Sequence, residues 1–188
     1  RFAFLLLVGG MLLQPELSAQ RRERVRLGIE VLLEERIELV RNRRVGLITN
    51  PSGVDGDLVP TADRLFGDPR VALVQLYGPE HGIRGAVAAG EKVGDSKDPV
   101  TGLPVESLYG QRKRPSLESL KRLDALLFDI QDVGSRTYTY ASTLGEALLA
   151  AKEAQIPLIV LDRPNPLGGL EVEGPLRREA WKSFIGWA

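Results

Sequence analysis

Cysteine is missing from this chain of 188 residues, and histidine occurs only once, as His81. Without cysteine, these residues cannot form a disulfide, a thiolate nucleophile or a cysteine-ligated zinc site. A single histidine also argues against a metal site built from several imidazoles. We therefore predict a protein that works without a metal or another cofactor.

The chain also has no excess of charge of either sign. Its 25 lysines and arginines are balanced by 25 aspartates and glutamates, whereas nucleic-acid-binding domains usually carry a basic excess or stripe. The one strongly basic run, RRERVR at residues 21–26, is interpreted as a solvated segment ahead of the first helix. No nucleic-acid partner is expected.

The glycine-rich motifs that bind nucleotides are missing as well. No G-x-G-x-x-G follows the first predicted strand, and TNPSGVDG at residues 49–56 does not match a P-loop. A Rossmann-type nucleotide enzyme is therefore disfavoured.

The amino terminus carries the apolar run FAFLLLVGGMLL at residues 2–13, with Arg1 before it and the polar QPELSAQ after it. This pattern predicts a secretory signal peptide over residues 1–19. The run is short for a membrane span, although an uncleaved anchor is the alternative. We expect an exported protein, periplasmic or extracellular, with no membrane association beyond the signal peptide. The non-Met start and the apolar ending WKSFIGWA are interpreted as signs of a longer protein.

Apolar runs of strand length alternate along the chain with segments of helical spacing. Such alternation is typical of parallel βαβ units, and 43% hydrophobic residues suffice for a buried core. The sequence therefore predicts an α/β fold with a Rossmann-like parallel sheet and flanking helices. An amino-terminal segment and helix (residues 20–43) precede this domain, which is placed at residues 44–188. The predicted strands are residues 44–48, 71–77, 125–130 and 156–161.

Between these strands, helical spacing predicts a first helix over residues 28–40 and a last helix over about 142–154. Thr61 is interpreted as the N-cap of another helix. Residues 85–110 are rich in glycine, aspartate and lysine and show little periodicity, so we predict a long loop there. Loops of this length inside a compact domain are often functional.

Polar and charged residues follow directly behind the predicted strands. In a parallel α/β sheet the ligand crevice lies outside the carboxyl ends of the strands. The sequence therefore predicts an active site at this edge, which we call the rim. The residues expected at the rim are Asn50, Glu80, His81, Asp129, Gln131, Asp132, Asp162 and Arg163.

Glu80 lies in the motif GPEHGIRG, between glycines that permit a sharp turn. A carboxyl group on such a turn can act as a general acid if partial burial raises its pKa. The alternative is a carboxylate that caps the next helix or pairs with Arg84. His81 is interpreted either as a substrate contact or proton relay, or as a packed side chain.

The second acidic group consists of Asp129, Gln131 and Asp132. Its carboxyls are candidates for a nucleophile or base, for ligands of magnesium or calcium, or for a structural pair that holds Arg136. The pattern alone leaves these readings open.

Two further groups have both a binding and a structural interpretation. Tyr138 and Tyr140 suit stacking against a sugar, and they equally suit packing at the sheet edge. Asp162 and Arg163 form a polar turn with neighbouring prolines, which either contacts substrate or forms an internal ion pair.

Four long motifs resemble the exo-β-N-acetylmuramidases, the NamZ-like family: GPEHGIRG, AGEKVGDSKDPVTGLPVESLYG, FDIQDVGSRTYTYASTL and VLDRPNPLGGLEVEGP. The resemblance covers residues 45–175. It implies a Rossmann-like amino-terminal domain followed by a smaller carboxy-terminal domain, most of which this chain lacks. It also implies release of N-acetylmuramic acid from the non-reducing end of peptidoglycan fragments, in a cleft between the domains.

Within that resemblance, Glu80 matches the acidic residue of the PEHG motif, which implies a catalytic role. Gln131 and Asp132 match the QD pair. The remaining positions carried over from the family's motifs are His81, Arg84, Arg136 and Asp162.

Glycoside hydrolysis needs two carboxyls across the scissile bond. Glu80 as the acid fits, with Asp132 or Asp129 as nucleophile, base or the group that orients the 2-acetamido substituent. The lactyl carboxylate of muramic acid should require a cation, for which the candidates are Arg84, Arg136 and Arg163. The alternative function is a non-catalytic protein that binds cell-wall sugars.

Overall fold

A six-stranded, mostly parallel sheet forms the centre of the part of the chain that the computed structural model describes, residues 24–85 and 94–186. The predicted signal peptide lies outside these residues. Strand order is β3-β4-β2-β1-β5-β6, with every neighbouring pair parallel except β3 and β4. This confirms the predicted α/β class. The strands are β1 (Arg44–Thr49), β2 (Ala72–Gly78), β3 (Ser96–Lys97), β4 (Pro104–Ser107), β5 (Ala125–Asp129) and β6 (Leu158–Val160).

Helices connect and cover these strands. Short 3₁₀ turns at Ile37–Leu39 and Glu179–Trp181 supplement them. Among the described residues, no helix is long and apolar enough to cross a membrane. The helices are α1 (Gly28–Glu35), α2 (Thr61–Gly67), α3 (Leu117–Leu120) and α4 (Tyr140–Ala154).

The central strands are apolar because both faces of the sheet are covered. Side chains alternate between the two faces along a strand. In β1, Val45 and Leu47 pack with Leu65 of α2, while Ile48 packs on the other face with Ala147 of α4. Strands buried on both faces read as continuous apolar runs, which explains why β1, β2 and β5 were visible in the sequence.

Three local predictions differ from the structure. The first helix ends at Glu35 and continues as a 3₁₀ turn, rather than running to residue 40. Pro60, not Thr61, is the N-cap of α2, because the Thr61 hydroxyl is committed to a buried aspartate. The segment 85–110 is not a single loop, since it contains β3 and β4.

The strand β4 escaped prediction because it is short and its buried residues are partly polar. Glu106 and Ser107 are both buried in β4. Glu106 accepts hydrogen bonds from the Ser116 backbone N–H (2.7 Å) and hydroxyl (2.9 Å) at the start of α3. A buried glutamate that is satisfied in this way breaks the apolar pattern by which strands are recognised.

Candidate functional site

The carboxyl ends of β1, β2, β4, β5 and β6 meet at one edge of the sheet, as the parallel pairing requires. Thr49, the last residue of β1, is in register with Asp129, the last residue of β5. Ile48 is in register with Tyr77 near the end of β2. The loops that leave these strands therefore lie side by side, and they carry the residues predicted at the rim.

Glu80 lies on a tight turn directly after β2. The Gly82 backbone N–H donates to the Pro79 carbonyl at 3.0 Å, and both His81 and Gly82 have positive φ, at 71° and 70°. A positive φ is uncommon for a non-glycine residue such as His81. This conformation leaves Glu80 half-buried at the rim.

Two tyrosines interact with the Glu80 carboxylate, Tyr109 through a hydrogen bond and Tyr140 through the negative charge of Glu80. The phenol of Tyr109, which follows β4, hydrogen-bonds to Glu80, and this bond raises the pKa of Tyr109. Burial raises the pKa of Tyr140; a hydrogen bond with Asn50 opposes this shift, and the negative charges of Glu80 and Asp132 add to it. The Tyr140 phenol therefore has Asn50 and both carboxylates as electrostatic neighbours.

Asn50 is held in a fixed orientation for this contact. It is only 5% exposed, and its side-chain oxygen accepts from the backbone N–H (3.0 Å) and the hydroxyl (2.5 Å) of Ser52. With its oxygen occupied, its amide nitrogen is the group available to Tyr140.

Asp132 begins the loop after β5 and is half-buried. Its Oδ1 accepts from the Gly134 backbone N–H at 2.7 Å. Beside it, the Gln131 side-chain amide donates to the Asp132 carbonyl (2.7 Å) and the Pro164 carbonyl (3.0 Å). Because the Gln131 backbone N–H also donates to the Ser52 hydroxyl at 2.9 Å, this glutamine joins the loops that follow β1, β5 and β6.

Two depressions share Asp132. The first has a volume of about 270 Å³ and is lined in part by Gln131, Tyr140 and Asp162. The second, of about 340 Å³, is lined in part by Arg136 and Tyr138. The ring centroids of Tyr138 and Tyr140 lie 6.0 Å apart, and the ring planes make an angle of 51°. Asp132 thus lies where the two depressions meet.

Asp129 is enclosed, unlike Asp132. It is 0% exposed, and Arg163 binds both its oxygens, Nε to Oδ1 at 2.5 Å and Nη2 to Oδ2 at 3.0 Å. The Thr61 hydroxyl also donates to Oδ2 at 2.5 Å. A nucleophile or metal ligand needs an accessible oxygen, so this geometry gives Asp129 a structural role. Its partner is Arg163, not Arg136, which the sequence analysis considered.

The other predicted residues have the following surroundings. Arg84 pairs with Asp63 and Asp98 rather than with Glu80. Arg136 is exposed and donates to the Pro175 carbonyl at 2.7 Å, which differs from the alternative in which the acidic group holds it. Asp162 is exposed and accepts from the Arg163 backbone N–H at 2.9 Å.

Sequence reasoning missed Tyr109 as a site residue and considered Tyr140 for stacking against a sugar or for packing at the sheet edge, not as a hydrogen-bonding group. Tyr109 lies in the segment read as a loop, where an unrecognised β4 delivers it to the rim. The available signal was its position in the motif ESLYG, five residues after Pro104.

A parallel sheet with polar side chains gathered at its carboxyl edge defines this chain as a Rossmann-like α/β domain with a crevice at the rim. A family model described as "Exo-beta-N-acetylmuramidase NamZ, N-terminal" matches residues 45–188. The chain belongs to this family.

Known proteins of the same kind are similar over most of the chain. The peptidoglycan beta-N-acetylmuramidase NamZ of Bacillus subtilis (strain 168) is 49% identical over 166 residues, which cover 88% of this chain and 40% of that protein. A crystal structure of a DUF1343 family protein from Bacteroides fragilis NCTC 9343 is 50% identical, with a TM-score of 0.81, and covers 88% of this chain and 41% of its own. A second such protein from that organism is 33% identical, with a TM-score of 0.72 and coverages of 87% and 41%. The chain thus spans about two fifths of the length of these relatives.

Proposed function

We propose that this chain is the amino-terminal part of a glycoside hydrolase that releases N-acetylmuramic acid from the non-reducing end of peptidoglycan fragments. The family and the similarity to the Bacillus subtilis protein support a peptidoglycan-active glycosidase. The observation that carries the proposal is the presence of two partly exposed carboxylates, Glu80 and Asp132, in the loops that leave the sheet at the rim, where Asp132 lines a depression together with Tyr140.

Glu80 is the general acid in this proposal. Its tight turn holds the carboxyl at the rim, and the Tyr109 phenol orients it. Protonation of the glycosidic oxygen by a positioned carboxylic acid is the step that a poor leaving group needs. Transfer of the proton to the glycosidic oxygen leaves a Glu80 carboxylate, to which the Tyr109 phenol donates a hydrogen bond.

Asp132 provides the second carboxyl. Three roles fit its position: nucleophile, base that activates water, or a group that orients the 2-acetamido substituent. A separation of about 5–5.5 Å between the two carboxyls suits the first role, and about 6.5–9.5 Å suits the second. The stereochemistry of the released sugar distinguishes these two directly.

Arg136 is the best placed of the three arginines to bind the lactyl carboxylate. Arg84 and Arg163 are already paired with carboxylates, so a further anion gains little from them. Arg136 is exposed, binds a neutral carbonyl and lines the same depression as Asp132 and Tyr138. Its planar guanidinium suits two-point binding of a carboxylate, with Tyr138 available for stacking against the sugar.

Export is part of the proposal, because peptidoglycan lies outside the cytoplasmic membrane. The pattern of residues 1–19 supports it.

The test uses this chain extended to the length of its curated relative. The protein is incubated with a chromogenic β-N-acetylmuraminide and with the corresponding N-acetylglucosaminide, which lacks the lactyl group. We expect release of the chromophore from the muraminide alone. Release from neither, with sugar binding still detected by calorimetry, would contradict the hydrolase and indicate a sugar-binding protein.

A further inference from the structure

Arg84 lies four residues after Glu80, at the end of the turn over residues 79–84, which we call the Glu80 turn. Its side chain bonds to two carboxylates. Its Nη2 donates to Asp63 Oδ1 (2.6 Å) and to Asp98 Oδ2 (2.8 Å). Its Nη1 donates to Asp63 Oδ2 (3.0 Å), and its Nε donates to Asp98 Oδ1 (2.9 Å). Four of the five N–H groups of the guanidinium are therefore committed within the protein.

The two carboxylates belong to separate parts of the fold. Asp63 lies in α2, and Asp98 lies in the turn between β3 and β4. Asp98 is itself held firmly, because its Oδ2 accepts from the Thr101 backbone N–H (2.9 Å) and hydroxyl (2.7 Å). Arg84 consequently connects the Glu80 turn to a helix on one side and to the β3–β4 hairpin on the other.

Burial and charge both argue against a substrate anion at Arg84. The Asp98 side chain is 0% exposed, and that of Arg84 is 21% exposed. One guanidinium between two carboxylates leaves the cluster with a net charge of −1, which repels a further carboxylate. In agreement, hydrogen bonding from Arg84 is the largest cause that lowers the pKa of Asp98 to about 2.

The Glu80 turn is thus attached to the β4 region at both ends. Tyr109, just after β4, bonds to Glu80, and Asp98, just before β4, bonds to Arg84. Between these attachments, the turn keeps the positive φ of His81, a conformation that the surrounding structure must maintain.

We propose that Arg84 is a positioning residue, which holds the Glu80 turn in its catalytic geometry by joining it to Asp63 and Asp98, and which does not contact the substrate. This inference rests on the proposed function for its catalytic readout. It removes Arg84 from the three arginines that the sequence offered as candidates for binding the lactyl carboxylate.

A substrate-binding role and a positioning role for Arg84 predict different changes in kinetics. Loss of a substrate contact raises KM for the muraminide and leaves kcat near its original value. A displaced acid lowers kcat, and a misplacement of about 1 Å can cost on the order of 10²-fold. Because the lactyl group is not involved, the affinity for free N-acetylmuramic acid should not change.

The experiment compares Arg84→Lys with Arg44→Lys in the protein extended to the length of its relatives. Lysine keeps the charge but cannot bridge two carboxylates in the planar, bidentate manner of arginine. Arg44 is the matched control, since it also binds an aspartate through Nε and Nη2, Asp124 (3.2 and 2.8 Å), at the opposite end of the sheet. We expect Arg84→Lys to lower kcat about 10²-fold with KM unchanged, and Arg44→Lys to leave both unchanged.

A second variant and a second measurement complete the test. Asp63→Asn removes the more exposed carboxylate and leaves the buried Asp98 pair, so it should fold and give a smaller loss of kcat. Hydrogen exchange of the Gly82 amide, which closes the turn, should accelerate in both Arg84→Lys and Asp63→Asn but not in Arg44→Lys.

The outcomes distinguish failure of the proposed hydrolase function from failure of the positioning role of Arg84. An inactive wild-type protein with accelerated Gly82 exchange in the variants contradicts the hydrolase and supports the positioning role. An active wild type whose Arg84→Lys variant shows a raised KM, an unchanged kcat and unchanged exchange overturns the positioning role.

Discussion

Four carboxylates at the rim and beside it, Glu80, Asp98, Asp129 and Asp132, fall into two groups that the structure separates by their partners. Asp98 and Asp129 are buried and each is bonded to an arginine, Arg84 and Arg163 respectively; we call these the closed pairs. Glu80 and Asp132 are half-buried, with a tyrosine hydroxyl and a backbone N–H as hydrogen-bond donors; we call them the open carboxylates.

The difference shows what an arginine does to a carboxylate in this fold. A guanidinium within bonding distance occupies both oxygens of the carboxylate, so a closed pair holds loops together and leaves no accessible oxygen for chemistry. An open carboxylate keeps an accessible oxygen beside polar groups that can adjust to its charge. The account therefore assigns chemistry to the open carboxylates and scaffolding to the closed pairs.

The largest expected effect comes from replacing the open carboxylate that acts as the acid. Glu80→Gln should lower the rate about 10²–10⁴-fold on substrates with poor leaving groups, because the amide cannot donate the required proton. Aryl glycosides with good leaving groups should lose less. Steady-state rates on both kinds of substrate provide the measurement.

The control for this substitution is Glu118→Gln, the same change at an exposed position in α3. It should leave both rates unchanged. Equal activity of Glu80→Gln and wild type would remove Glu80 from the mechanism.

A closed pair should respond in stability instead. Asp129→Asn leaves the Arg163 guanidinium, whose side chain is 7% exposed, without its counter-charge. Breaking a buried pair in this way costs about 3–5 kcal/mol in the free energy of unfolding, measured by urea denaturation.

The matched double variant, Asp129→Asn with Arg163→Met, sharpens that measurement. It removes both charges and should recover part of the lost stability, because no uncompensated charge remains buried. If the double variant is as unstable as the sum of the single variants, the two residues do not act as a pair.

The smallest expected effect is a pH dependence of the other closed pair. The pKa of Asp98 is lowered from 3.8 to about 2, chiefly by hydrogen bonding from Arg84, while burial opposes the shift. A lowered folded-state pKa means that this stability is present above about pH 4 and is lost as the pH falls toward 2. At 1.36 kcal/mol per pKa unit, ionised Asp98 contributes about 2 kcal/mol to the free energy of unfolding.

Urea denaturation at pH 5 and pH 2.5 measures this contribution when wild type is compared with Asp98→Asn. The wild type should lose more stability between the two pH values than the variant does. Asp124, whose pKa is likewise lowered to about 2, is present in both proteins, so the difference isolates Asp98. Equal losses in both proteins would contradict the closed-pair interpretation of Asp98.

The sheet was predictable because burial on both faces leaves a strong signal. The runs that became β1, β2 and β5 are mainly apolar, and parallel connection follows from the helices between them. The strand β4 was not predictable, because Glu106 and Ser107 are buried through hydrogen bonds that form only in the folded chain.

The candidate site was predictable only as a set of residues. Position at the end of a strand or directly after it brought Glu80, Asp129 and Asp132 to the rim, and that rule does not distinguish their roles. The distinction between them arises from contacts distant in sequence, such as Arg163 with Asp129, 34 residues apart. Such pairing depends on the tertiary arrangement of loops, and no local pattern encodes it.

The most direct test measures both activity and stability in two variants. Glu80→Gln and Asp129→Asn are prepared in the protein extended to the length of its relatives, and each is measured for its urea midpoint and for muraminide hydrolysis per folded molecule. The account predicts that Glu80→Gln loses hydrolysis and keeps its midpoint, whereas Asp129→Asn lowers the midpoint and loses far less hydrolysis. A stable Asp129→Asn that is as inactive as Glu80→Gln would contradict it, since a closed carboxylate would then be taking part in the chemistry.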